Sequence, residues 1–166
     1  MKLKFIIFAF FLLFISLSLY GHRGIKRTNY FQSYKDTDKE IGYALNASYL
    51  RYENTFSPQL QVYYTKYLTP FFGLGLGVGT MYNKQINNTF TIDARLRVFD
   101  GMFVVVKPGL HMKKVRNSYQ YLYSVGFEAN YKLELKNNLL LGPVVQFDLI
   151  QDDLNFMVGV LMAYRF

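Results

Sequence analysis

The 166-residue chain has no cysteine, no tryptophan, four prolines and two histidines, and its eleven acidic residues are outnumbered by nineteen basic ones. Without cysteine a disulfide framework, a thiol nucleophile and a lipid-modified cysteine anchor are all excluded, and a metal site loses its softest ligand. Chemistry is scarce among the remaining residues: His22 falls near the amino terminus, and His111 is followed by Met112 and Lys113. A lone histidine beside a lysine is more often a hydrogen-bonding group than a catalytic base. No catalytic residue, cofactor or metal is therefore assigned. What the chain has in excess is aromatic, with 15 Tyr and 16 Phe beside 12 Gly. The length suits one domain.

Met1 to Gly21 opens with Lys2 and Lys4, runs apolar from Phe5 to Leu19 with only Ser16 and Ser18 as polar interruptions, and then turns basic. This is the pattern of an export signal, and the run is shorter than the roughly 20 apolar residues that span a bilayer as a helix. Cleavage is expected after Ser18 or Gly21. Loss of Lys2 and Lys4 takes the formal charge from +8 to +6, and a basic exported chain meets phosphorylated lipid before nucleic acid. Residues 22–39 carry five cations and no clean period, so they read as an irregular periplasmic leader.

From Ile41 onward the dominant period is two, the spacing of a strand. The last stretch shows it most plainly. Phe156, Val158, Val160, Met162, Tyr164 and Phe166 form one row, and Asn155, Met157, Gly159, Leu161, Ala163 and Arg165 the other. Seven earlier segments alternate likewise, beginning near Ile41, Gln59, Phe71, Phe90, Met102, Tyr119 and Leu139. With the terminal strand they make eight, and a terminal strand with nothing after it must pair with an earlier one. The turns at Thr69-Pro70, Asp100-Gly101 and Lys136-Asn137-Asn138 are tight, whereas 52–57, 83–89, 114–118 and 150–154 read as longer loops. Short turns at one end and longer loops at the other describe an up-and-down meander. For Arg97 and Phe103 to share a face, the turn must comprise Phe99, Asp100 and Gly101, with Gly101 in the left-handed position. Pro108 and Pro143 each remove a ladder donor and predict local bends.

Which row faces outward decides the class. A soluble lipocalin-like barrel places its apolar row inside and its polar row in water. Here the apolar rows hold no charged residue, while the second rows contain Phe103, Val105, Leu140, Val144, Met157 and Leu161, a poor surface for water. Aromatics also sort by depth, with Tyr49, Tyr82, Phe90, Tyr119, Phe147 and Phe156 near one end and Tyr43, Tyr64, Phe72, Tyr131, Tyr164 and Phe166 near the other. Two aromatic girdles around an aliphatic band are what a bilayer selects. The fold expected for residues 40–166 is all-β, an eight-stranded antiparallel up-and-down transmembrane β-barrel.

Residues 41–166 resemble the small eight-stranded outer-membrane proteins of the OmpX, OmpW and OmpA-barrel type, and especially the outer membrane protein beta-barrel domain of Bacteroidota. The stretches that carry the likeness are Phe71-Phe72-Gly73-Leu74-Gly75-Leu76-Gly77-Val78-Gly79, Leu139-Leu140-Leu141-Gly142-Pro143 and the ending Ala163-Tyr164-Arg165-Phe166. The resemblance implies a place in the cell outer membrane and a monomer. It also implies recognition of Tyr164 and Phe166 by the barrel assembly machinery. His111 lacks the following Ser and Asn that would resemble a lipid A deacylase of this barrel type, and the loop 52–57 has no histidine to suggest a palmitoyltransferase.

Inward rows carry Asp93, Arg95, Arg97, Lys107, Glu128 and Asp148. Eight strands enclose a space that side chains fill, so these charges read as a neutralising plug, with Asp93 directly opposite Lys107. At the loop end, Arg51, Lys84, Lys114 and Arg116 form a basic set suited to lipopolysaccharide phosphates. The expected role is structural or surface-interacting, with contact to outer-membrane lipid and lipopolysaccharide and none to nucleic acid. The alternatives are a lipid-modifying barrel enzyme and a narrow conduit or binder for a small hydrophobic ligand.

Overall fold

The computed structural model describes residues 38–51, 54–82, 86–115, 118–151 and 153–166. The expected signal segment and all but the end of the expected leader lie outside them. The strands are β1 Lys39–Leu50, β2 Thr55–Tyr67, β3 Phe72–Tyr82, β4 Ile86–Phe99, β5 Met102–Val115, β6 Ser118–Tyr131, β7 Leu133–Glu134, β8 Leu139–Ile150 and β9 Asp153–Arg165. β6 and β7 are one barrel strand interrupted at Lys132, since both pair with β8 in a single register, Asn130 with Val144 and Leu133 with Leu141. All pairings are antiparallel between neighbours in sequence except one. That one joins β1 to β9, from Glu40 with Arg165 to Leu50 with Asn155, and closes eight strands into a ring.

The register fixes the shape of the ring. A circuit of paired residues starts at Lys39 and passes through Lys66, Leu74, Ala94, Val106, Phe127, Phe147 and Phe156. It returns to β1 at Tyr49, ten residues further on than Lys39. With a strand rise of about 3.3 Å and a strand spacing of about 4.8 Å, that stagger tilts the strands by roughly 40° and sets a backbone radius of roughly 8 Å. Such a ring is narrow enough for inward side chains to span it.

Burial alternates residue by residue, and in the sense opposite to that of a soluble barrel. Leu45, Leu76 and Ile92 are 62, 64 and 59 % exposed, while Glu40, Asp93, Arg95 and Asn130 are 0 % exposed. An apolar wall inside the ring comes from β1, β2, β8 and β9, where Ala44, Tyr63, Leu140, Val144, Leu161 and Ala163 cluster. On β3 the inward row is glycine because its neighbours lie across it. A Cβ on Gly73 would stand 2.9 Å from both Thr65 and Tyr67, and one on Gly77 would stand 2.5 Å from the Thr91 hydroxyl. The strip is filled by β2 and β4 side chains, and the guanidinium of Arg95 lies over the Tyr63 ring, 3.8 Å from its centroid.

At the turn between β4 and β5, Gly101 adopts φ 79°, and the register shifts between Arg97 and Phe99 so that Arg97 pairs with Phe103, as the row parity requires. The longer loops do not survive. β1 and β2 are separated by residues 51–54, β3 and β4 by 83–85, β5 and β6 by 116–117, and β8 and β9 by 151–152. Hydrophobic alternation ends where the lipid-facing band ends, but the hydrogen-bonded ladder continues through polar residues, as in the pairs Asn87 with Lys113 and Lys114 with Tyr119. Proline acts locally. The β4–β5 ladder skips Ile92 and Asp93, opposite Pro108 and Lys107, and resumes without a register shift, while the β8–β9 register runs unbroken through Pro143.

Candidate functional site

Two features of the ring carry polar chemistry: the lumen, and the rim remote from the chain terminus. Among the described residues the lumen buries four acids, Glu40, Asp93, Glu128 and Asp148, and four bases, Arg95, Lys107, Lys132 and Arg165. The balance matters because a buried charge left alone costs several kcal/mol.

At mid-height, Lys107 on β5 donates to Glu128 Oε2 at 2.7 Å on β6, to Gln61 Oε1 at 3.2 Å on β2 and to Gln146 Oε1 at 3.0 Å on β8. All three ammonium protons are used, and the three acceptors stand on different walls, so this one side chain spans the cross-section. Asn130 donates to Glu128 at 2.6 Å, and Gln146 donates to Asp148 at 2.7 Å. Asp93 accepts from Arg95 at 3.1 Å and from the Thr91 hydroxyl at 2.7 Å. A second guanidinium nitrogen of Arg95 lies 3.9 Å from Glu128. The expected Asp93–Lys107 neutralisation is thus replaced by two other pairs. Asp93 keeps its place opposite Lys107 in the register, but its carboxylate accepts from Thr91 and Arg95 of its own strand, and Lys107 reaches across the ring to amides that sequence spacing does not relate to it.

At the end that carries the turns, Glu40 gathers four donors. Its carboxylate accepts from Tyr63 at 2.9 Å, Tyr67 at 3.1 Å, Arg165 at 3.4 Å and the Lys132 ammonium. Lys132 also stands over the Phe103 ring at 4.5 Å. Sequence reading missed Glu40 because the first strand was begun at Ile41. Counting the inward row back by one residue places it directly opposite Arg165. Arg97, expected in the lumen network, instead pairs with the exposed Asp100 at 3.0 Å on the turn.

Toward the other end the lumen changes character, with Asn46, Ser48, Ser57, Gln59, Asn87 and Asn155 all buried. Ser48 donates to Asn155 Oδ1 at 2.5 Å. His111 places Nδ1 3.0 Å from the Thr89 hydroxyl.

On the rim, β6 rises past its neighbour. Its pairing with β8 stops at Ser124 with Ile150, while pairing with β5 continues to Val115 with Ser118, so Tyr119 to Leu122 pair with β5 alone. The backbone N–H of Gln151 donates to the Tyr123 carbonyl, which turns the main-chain groups of Tyr121 and Tyr119 toward the same side by the two-residue alternation. Tyr119, Tyr121 and Tyr123 are 57, 60 and 80 % exposed on the outward row, and the exposed Lys114 is the direct partner of Tyr119. Of the expected basic set, Lys84 and Arg116 lie outside the described residues. Arg51 follows β1, four strands around the ring from Lys114 on β5, so the structure does not bring these two together. At the opposite end Tyr164 and Phe166 stack at 6.2 Å on the lipid face.

No protein-family model matches the chain, and no curated protein matches its sequence. Solved structures do match its fold. The N-terminal β-barrel domain of Pseudomonas aeruginosa OprF aligns over 79 % of this chain and 100 % of its own, at 14 % identity and a TM-score of 0.59. The attachment invasion locus protein Ail of Yersinia pestis, in its complex with the heparin analogue sucrose octasulfate, aligns over 78 and 99 % at 9 % identity and 0.56. Neisserial surface protein A aligns over 77 and 96 % at 6 % identity and 0.54. By its closed ring, its inverted burial and this likeness, the chain is an eight-stranded up-and-down transmembrane β-barrel with the fold of the small outer-membrane proteins.

Proposed function

We propose that the protein resides in the outer membrane as a side-chain-filled barrel with a surface-interaction role, exerted by the β5–β6 hairpin on lipopolysaccharide. The carrying observation is the outward row of that hairpin, which passes from Leu110 and Tyr123 through Met112 and Tyr121 to Lys114 and Tyr119 as it leaves the band. Leucine and methionine giving way to lysine, with a tyrosine beside each, is the order in which a surface meets acyl chain, headgroup boundary and phosphate. Lys114 and the tyrosine hydroxyls supply the donors that a phosphorylated sugar accepts. Arg51, exposed after β1 on the far side of the rim, adds a second basic position. Tyr164 and Phe166 serve insertion by the barrel assembly machinery.

The experiment is reconstitution in vesicles with and without lipopolysaccharide. The urea midpoint of the wild type rises with lipopolysaccharide, and a variant with Lys114→Gln, Tyr119→Ser and Tyr121→Ser loses that gain while keeping its stability in phospholipid. Equal gains in the two proteins would remove the role given to the hairpin. A hydrophobic-ligand conduit is disfavoured by the charged cross-section at Lys107.

A further inference from the structure

The lumen ion pairs differ in what must already be folded for them to form. Arg95 and Asp93 share β4, and Lys107 and Glu128 stand on the two strands of the β5–β6 hairpin, so both pairs are within reach of a sheet that has not closed. Glu40 is different. Its carboxylate lies at the start of β1, whereas Lys132 follows β6 and Arg165 ends β9. In an open sheet with the strands in chain order, Glu40 lies on one edge strand and Arg165 on the other. They meet only in the β1–β9 pairing.

Local geometry favours the meeting. Lys39 and Phe166 exchange backbone hydrogen bonds of 3.0 and 2.8 Å, so they form a hydrogen-bonded pair. The next pair, Glu40 with Arg165, is then of the closer, non-hydrogen-bonded kind, in which facing side chains stand nearest. Tyr63 and Tyr67 on β2 donate to the carboxylate and hold it toward the lumen. Glu40 is wholly buried, and Lys132 and Arg165 are 2 and 9 % exposed, so the attraction acts where water screens it little.

We propose that Glu40 is the latch of barrel closure: one carboxylate on the first strand captures cations from the far side of the sheet and selects the closed ring over the open one. In the closed ring Lys132 and Arg165 are buried, so a ring that forms without Glu40 between them leaves two enclosed cations uncompensated and is the costly alternative. The capture also pins the register of β1 on β9, because a two-residue slip would carry Glu40 away from Arg165.

The absence of cysteine makes the test clean. Leu45 and Val160 are direct partners across the β1–β9 seam and both face outward, so cysteines at these two positions report closure through a short bis-maleimide cross-link. In this background Glu40→Gln, which keeps oxygen for the tyrosines but removes the charge, slows cross-linking during refolding into vesicles by about tenfold or more. Glu128→Gln, which weakens a hairpin-local pair, lowers the urea midpoint but leaves the closure rate within about twofold. To separate closure from general misfolding, Glu40→Lys is compared with the reversed set Glu40→Lys, Lys132→Glu and Arg165→Glu. The single variant stays open, and the reversed set regains the cross-link. An unchanged rate in Glu40→Gln, equal slowing by Glu128→Gln, or no recovery in the reversed set would overturn the latch.

Discussion

The two ends of the lumen solve the same packing problem with different chemistry. From the chain terminus up to mid-height, Glu40 neutralises Lys132 and Arg165, and Glu128 neutralises Lys107 beside Arg95, in ion pairs that tie β1 to β9 and to the end of β6, and β4 and β5 to β6. Near the rim, buried amides and hydroxyls such as Asn46, Ser48, Gln59 and Asn155 fill equivalent positions of the same inward rows. The difference lies in what a lost partner costs. A buried ion pair stabilises little over an apolar replacement, but its half-removal costs about 3–5 kcal/mol, whereas stranding one partner of a buried neutral hydrogen bond costs about 1–3 kcal/mol. The inner end therefore enforces one closed arrangement, and the outer end is the more permissive.

That contrast breaks most sharply at Lys107. Lys107→Met leaves Glu128 buried without its ammonium and costs about 3–5 kcal/mol in vesicle-based urea unfolding, while Lys107→Met with Glu128→Leu recovers most of the loss. A smaller effect distinguishes the observed pairing from the expected one. In double-variant cycles Asp93→Ala couples to Arg95→Met by about 1–3 kcal/mol and to Lys107→Met by close to zero, and the opposite ranking would restore the Asp93–Lys107 pair. At the inner rim, Gly101→Ala forces a left-handed φ of 79° and a Cβ 2.7 Å from the Lys132 carbonyl. A loss of about 1–2 kcal/mol is expected there. The smallest effect belongs to the outer end, where Ser48→Ala removes one neutral donor to Asn155 and costs about 1 kcal/mol. A loss there as large as that of Lys107→Met would erase the distinction between the ends.

How far the sequence could be read follows from the range of each interaction. Row parity is a local property, and it yielded the eight strands, the outward apolar face and the Gly101 turn. Glu40 was legible in principle, since it lies one step back along a row already recognised and opposite Arg165. The amide partners of Lys107 were not. Gln61 and Gln146 reach it from β2 and β8, across a ring whose diameter and stagger no single segment encodes. The upper connections were misjudged for a different reason: polar residues above the lipid band carry the ladder without carrying its hydrophobic signature, as Asn88 with Met112 and Lys114 with Tyr119 do.

The inverted burial is the claim on which the rest stands, and thiol-directed spin labels test it directly in a chain that has no cysteine of its own. Labels placed singly at Leu74, Leu76 and Val78 on β3, and at Thr65, Asp93 and Val105 on the inward rows, are compared in vesicles for collision with oxygen and with a water-soluble nickel chelate. The account predicts high oxygen and low chelate accessibility at the three β3 positions, and little access to either reagent at the inward ones. Chelate accessibility at Leu74, Leu76 and Val78 equal to that of a water-exposed site would place the apolar row outside the bilayer and contradict the account.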